Sequence, residues 1–83
     1  MELKATLGQW KDFTESIIWQ DIQSELQMWL KDTWELLERE DVDWETTMLL
    51  RGRARAIREM LQLPANIIAY LEEKNGTERK SSR

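Results

Sequence analysis

Neither cysteine nor histidine occurs anywhere in the 83 residues. Without cysteine there is no disulfide framework and no thiolate metal site. Without histidine, the commonest metal ligand and the commonest general base are missing together. The absence of cysteine also fits a reducing compartment. No apolar run approaches the ~20 residues of a membrane span, and the opening Met-Glu-Leu-Lys-Ala-Thr lacks the apolar stretch of a signal peptide. A soluble cytoplasmic protein is therefore expected. One proline, three glycines and no strand-like alternation leave little to interrupt helices.

What the chain does have is tryptophan: five of them, at positions 10, 19, 29, 34 and 44. At about 100° per residue, Trp19 and Trp29 fall in one helical sector with Ile18, Ile22, Leu26, Leu30 and Leu37. Trp34 sits at that sector's edge. Trp10 projects from another side, with Leu3, Phe13, Ile17 and Met28. A chain this short buries one modest face, and a small scaffold without disulfides or metal commonly associates with something. Trp19, Trp29 and Trp44 are expected in the core. Trp10 and Trp34 are the candidates for a protein–protein interface, where tryptophan is enriched.

Helix-forming residues dominate from about Leu3 to Glu40. Ile18, Ile22, Leu26, Trp29, Leu30, Thr33 and Leu37 recur at three-four spacing, as in an amphipathic helix. The earlier stripe of Leu3, Leu7, Trp10, Phe13 and Ile17 is rotated from it. Either Asp12-Phe13-Thr14-Glu15 is a capping box, so that a separate short helix ends near Lys11, or one helix runs through with different faces to different neighbours. The continuous or gently kinked helix is preferred. Glu38–Asp43 is a charged connector, Asp43 suits an N-cap, and Val42 can staple onto Thr47. A second helix over 44–62 carries Leu49, Leu50, Ala56, Ile57, Met60, Leu61 and Leu63. Gly52 inside it suggests a close approach between helices. Pro64 ends this helix and opens a short third one over 65–74, with Ile67, Ile68 and Leu71 inward. Asn75-Gly76 reads as its stop. The fold expected is all-α: a long helical hairpin (3–40 and 44–62), a short C-terminal helix (65–74) and a flexible tail. Residues 1–76 make one domain and 77–83 a polar tail.

Charge divides the chain. Residues 1–45 hold twelve acids and four bases, a net −8; residues 46–83 hold four acids and eight bases, a net +4. Arg51, Arg55 and Arg58 share a face at four-three spacing. They can meet phosphate, but the acidic balance of the whole chain runs against nucleic acid as partner. Pairing with Asp32, Glu35 and Glu38 of the first helix is the preferred reading. The acids themselves (Glu35 with Glu38, Glu38 with Asp41) lack the cleft that two-carboxylate chemistry needs. Ser16, Ser24, Thr14 and Thr33 have no base beside them. Catalytic, cofactor and metal sites are not expected.

The stretch Leu50-Arg51-Gly52-Arg53-Ala54-Arg55-Ala56-Ile57-Arg58-Glu59-Met60-Leu61-Gln62-Leu63-Pro64 resembles a segment of small tailed-phage proteins. In those, an aromatic-rich first helix precedes an arginine–glycine helix ending in Leu-x-Leu-Pro, and Trp10 and Phe13 are the matching aromatics here. The resemblance spans about residues 7–70 and carries no catalytic motif. It implies a small virion-associated or assembly protein acting on head or connector components, in the host cytoplasm or the virion. The function expected is non-catalytic: a module that forms a homo-oligomer or docks on a larger complex. Trp10, Phe13, Ile17 and Trp34 would be its contacts and Arg51, Arg55 and Arg58 its electrostatic set, with no cofactor and no membrane. The competing reading is a small regulator or inhibitor that binds a host protein or nucleic acid through the arginine-rich helix.

Overall fold

A computed structural model describes residues 2–81, with side chains as far as Gly76. The described residues are all-α: α1 (Leu7–Thr14), α2 (Ile17–Leu37) and α3 (Trp44–Ser81). They extend over 62 × 27 × 17 Å, a rod rather than a ball, because α3 alone is about 57 Å long.

The first segment is two helices, not one, and the break is not at Lys11. Thr6 caps α1 in a reciprocal box with Gln9: the Gln9 N–H donates to Thr6 Oγ1 at 3.1 Å, and the Thr6 N–H donates to Gln9 Oε1 at 2.8 Å. Asp12 is not a cap; it lies in the last turn of α1. Ser16 makes the break. Its backbone is extended (φ −75°, ψ 152°). Its hydroxyl donates to the Phe13 carbonyl at 2.6 Å and accepts the Trp19 N–H at 3.1 Å. One side chain thus satisfies an orphan carbonyl of α1 and an orphan donor of α2, and an N-cap of this kind is worth about 1 kcal/mol. The turn brings together two apolar stripes that a straight helix would hold apart.

α2 and α3 form an antiparallel hairpin with one seam. On α2, the residues withdrawn from solvent are Trp19, Gln23, Leu26, Leu30, Thr33 and Leu37. Every other position of α2 is exposed. On α3 the matching line is Thr47, Leu50, Ala54, Ile57, Leu61, Pro64, Ile68 and Leu71. Both lines alternate steps of four and three, the 3.5-residue repeat of knobs-into-holes packing. Thr33 and Ala54 are each 1 % exposed and Ile57 2 %, so the seam is tightest at mid-hairpin. The Thr33 hydroxyl is satisfied there by the Trp29 carbonyl at 2.8 Å.

Asp43 caps α3 as expected, its Oδ1 accepting the Thr46 N–H at 2.7 Å. That helix does not stop at Pro64. It runs unbroken through 38 residues, although proline leaves the Met60 carbonyl without its helical donor. Pro64 is buried in the seam, where packing offsets the missing bond. Gly76 is no stop either. A glycine C-cap works by adopting positive φ, and no described glycine does so. Helix therefore reaches Ser81, into the segment expected to be a flexible tail; Ser82 and Arg83 lie outside the described residues. Gly52 brings no close approach, since a Cβ built there meets nothing within 4 Å. The small seam residue is Ala54.

Two outcomes follow for stability. Gly52→Ala should stabilise the chain by about 1 kcal/mol, because the site is open, helical and exposed; a lower thermal midpoint would refute the open placement. The backbone N–H and the hydroxyl of Thr46 hold the Asp43 carboxyl below its ordinary value of 3.8. Its folded value being the lower one, the cap's contribution is fully present above the unfolded value and is lost as pH falls through the folded one. Asp43→Asn should therefore match the parent most closely under acid conditions and trail it at neutral pH, as read by thermal melts across that range.

Candidate protein interface

α1 is held against the hairpin by aromatic rings. Trp10 meets Phe13 edge-on at 6.0 Å (81°), and Phe13 meets Trp19 at 5.4 Å (41°). An apolar cleft of about 370 Å³ opens beside them, walled by Trp10, Phe13 and Trp19 on one side and Met60, Leu63 and Pro64 on the other. Trp10 Nε1 is buried there without a hydrogen-bond acceptor among the described residues. At the opposite edge Lys11 pairs with Glu72 at 3.2 Å, both about half-exposed. A surface pair of that kind adds ~0–1 kcal/mol. Ring burial and ring-on-ring contact add roughly 2–4 kcal/mol, so the rings decide the docking.

Beyond the seam, each helix carries columns at seven-residue steps, and they make the two flanks of the hairpin different. On α2 one flank is Ile22, Trp29 and Leu36, edged by the column Ile18, Glu25 and Asp32. On α3 the same flank is Arg53, Met60 and Ile67, edged by Leu49, Ala56 and Leu63. The opposite flank is Gln20, Gln27 and Trp34 against Arg51, Arg58 and Ala65. The contact that fixes this assignment is Arg58, whose guanidinium lies 5.8 Å from the Trp34 ring centroid; the cleft walls place α1 on the side of Met60 and Leu63. One flank is apolar and the other polar.

α1 covers only one end of the apolar flank. Ile67 and Met60 stand in the same column, yet Ile67 is 6 % exposed and Met60 42 %. Past α1, Ile22, Trp29, Leu36, Leu49 and Met60 all remain exposed. From Ile22 to Leu36 this strip is about 21 Å long. Its one indole donor is satisfied locally, Trp29 Nε1 bonding Glu25 Oε1 at 3.0 Å.

The residues singled out from the sequence scatter over this frame. Trp10 and Phe13 are half-buried and occupied inside the chain. Ile17 is 75 % exposed and stands on the outer face, because the break at Ser16 turns it away from Trp10 and Phe13. Trp34 is exposed on the polar flank, beneath Arg58. Of the expected core tryptophans, Trp19 is buried, Trp29 is exposed on the apolar flank, and Trp44 is exposed on the first residue of α3. The arginines do not meet α2's acids. Arg58 lies on Trp34, Arg55 pairs with Glu59 of its own helix at 3.2 Å, and Arg51 has no ion pair among the described residues. Arg51 and Arg58 share the polar flank, Arg55 stands in the column next to theirs, so the three keep one face of α3, and Arg53 belongs to the apolar flank.

The strip of Ile22, Trp29, Leu36, Leu49 and Met60 was hidden in the sequence because a 3.6-residue period merges it with the seam. The signal that separates them is the 3.5-residue register. Among the described residues, no helix is long and apolar enough to cross a membrane, and no three acidic groups gather to hold a metal. No family model, curated protein or solved structure matches the chain.

Phe13→Ala should release α1, at a cost of about 2–3 kcal/mol, exposing Ile67 and shifting Trp19 emission to the red. Glu72→Ala should cost under ~1 kcal/mol. Equal losses from the two would refute the dominance of the rings.

Proposed function

We propose that this chain is a non-catalytic protein–protein interaction module: a small structural or assembly protein that self-associates or docks on a larger complex. The observation that carries the reading is the uncovered apolar flank. Large side chains line up there at seven-residue steps on both helices of a hairpin whose own seam is already filled. A contiguous apolar strip on a small protein marks a place where something binds. Trp29 at its middle is the residue type that anchors interfaces. The resemblance of residues 50–64 to tailed-phage proteins inclines the reading toward a virion-associated component in the host cytoplasm or the particle.

Binding in this reading is geometric. The strip is wide enough for one further helix, or a helix pair, to lie along it and extend the seam's packing. Charged edges then choose the orientation. Trp34 and Arg58 supply a second, polar surface for a partner that reaches around the rod.

The test is the size at which the chain travels in extracts of its own source. The expected result is a complex well above the 10.0 kDa of one copy, from which Trp29→Glu with Leu36→Glu releases a helical monomer. Both positions are exposed, so the fold survives. A parent chain that runs as a lone monomer in those extracts would sink the reading.

A further inference from the structure

We infer that the apolar cleft beside α1 is a ligand site for a small, flat, uncharged aromatic molecule that carries one hydrogen-bond acceptor. This goes beyond the interaction reading and does not rest on it.

Size sets the first bound. The cleft holds about 370 Å³, inside the roughly 300–1,000 Å³ of small-molecule sites. An apolar cavity of about 150 Å³ already accommodates a benzene, so there is room here for two fused rings. The walls set the second bound. Trp10, Phe13 and Trp19 stand opposite Met60, Leu63 and Pro64. Aromatic rings pack on one another by offset or edge contact, and a thioether sulfur sits favourably at a ring edge. No charged side chain is among the wall residues, the other two being Ala5 and Gln9. Gln9 is committed elsewhere, its Oε1 accepting the Thr6 N–H at 2.8 Å. A charged guest would give up its hydration with nothing to replace it.

Trp10 sets the third bound. Its Nε1 is shut off from water and meets no acceptor among the described residues. A buried donor that neither solvent nor the fold satisfies is rare in native structures and calls for a partner. By contrast, the Trp29 indole donor has one, Glu25. Trp10 is half-buried rather than locked in the seam, so its ring can tilt to present that N–H to a guest. No intramolecular bond has to break first. An acceptor brought into the cleft therefore gains a hydrogen bond that a plain hydrocarbon does not.

The test pairs quinoline with naphthalene at neutral pH, where quinoline is uncharged. The two probes share one shape, and only quinoline carries an acceptor. Both should bind the full chain and saturate at one molecule per chain, followed by the NMR signals of the five indole N–H groups. Quinoline should move the Trp10 Nε1–H signal downfield; naphthalene should not. Trp10→Phe keeps a ring, removes the donor and identifies that signal by its loss. It should weaken quinoline about threefold to tenfold, the worth of one neutral hydrogen bond, and naphthalene by less than about twofold. Leu63→Glu puts a charge in the wall and should weaken both probes by more than about tenfold. Leu49→Glu, in the same column but outside the cleft, should leave both unchanged. Leu63 and Leu49 are 50 % and 75 % exposed, so the helices survive these changes, and circular dichroism verifies it.

Absence of saturable binding by either probe overturns the inference. So does binding that Leu49→Glu removes and Leu63→Glu spares, which puts the probes on the exposed strip. Equal behaviour of the two probes, with the Trp10 signal unmoved and Trp10→Phe without effect, overturns the acceptor and with it the ligand class. None of these results bears on the interaction reading, which the size of the complex in extracts decides.

Discussion

Two helices lying side by side share one line of contact, and that line hides only the residues at steps of four and three on each. In this chain the restriction is nearly absolute: α2 withdraws six side chains from solvent and exposes the rest. A four-stranded bundle or a three-helix domain would conceal two sides of each helix. A hairpin cannot, so the large apolar residues outside the seam register are left facing water wherever α1 does not reach them. Isoleucine, leucine, methionine and tryptophan recur at those outer positions. The seam is thus both what holds the molecule together and what leaves it unfinished.

α1 begins the missing layer. The serine turn folds it back so that Trp10 and Phe13 meet Trp19, and it closes over Ile67 and the buried Pro64. With eight residues, it spans about 12 Å and stops. Along the α3 column Ile67, Met60, Arg53, solvent exposure returns as soon as α1 ends. Pro64 fits the same picture. Proline inside a helix costs a hydrogen bond, but here it sits where α1, α2 and α3 converge, and the helix continues unbroken through it.

The flanks differ as sharply as the seam does from the surface. One presents Gln20, Gln27 and Trp34 with Arg51 and Arg58, and its tryptophan is covered by a guanidinium. The other presents isoleucine, tryptophan and leucine, with one base inside and two acids along its edge. Such one-sidedness is what a docking surface requires, because water penalises the apolar flank and tolerates the polar one. The acidic α2 and the basic α3 lie side by side, yet the arginines of α3 do not pair with the acids of α2.

Much of this was readable from the residues alone. Helix content, the hairpin, the Asp43 cap, the inward turn of Thr33, Ile67 and Ile68, and the absence of thiol or imidazole chemistry all follow from composition and local spacing. The break at Ser16 did not, because Asp12-x-x-Glu15 and Ser16 offer competing caps within one turn, and only the docking of Phe13 on Trp19 selects between them. Continuity through Pro64 and past Gly76 is likewise decided outside the segment, by packing on one and by an unused glycine conformation on the other. The division of apolar residues between seam and strip is the deepest case. Ile57 and Met60, or Leu26 and Trp29, are equally apolar and equally well spaced in the chain. Which of each pair is buried depends on the axis along which the neighbouring helix lies, and that axis exists only once both helices have met.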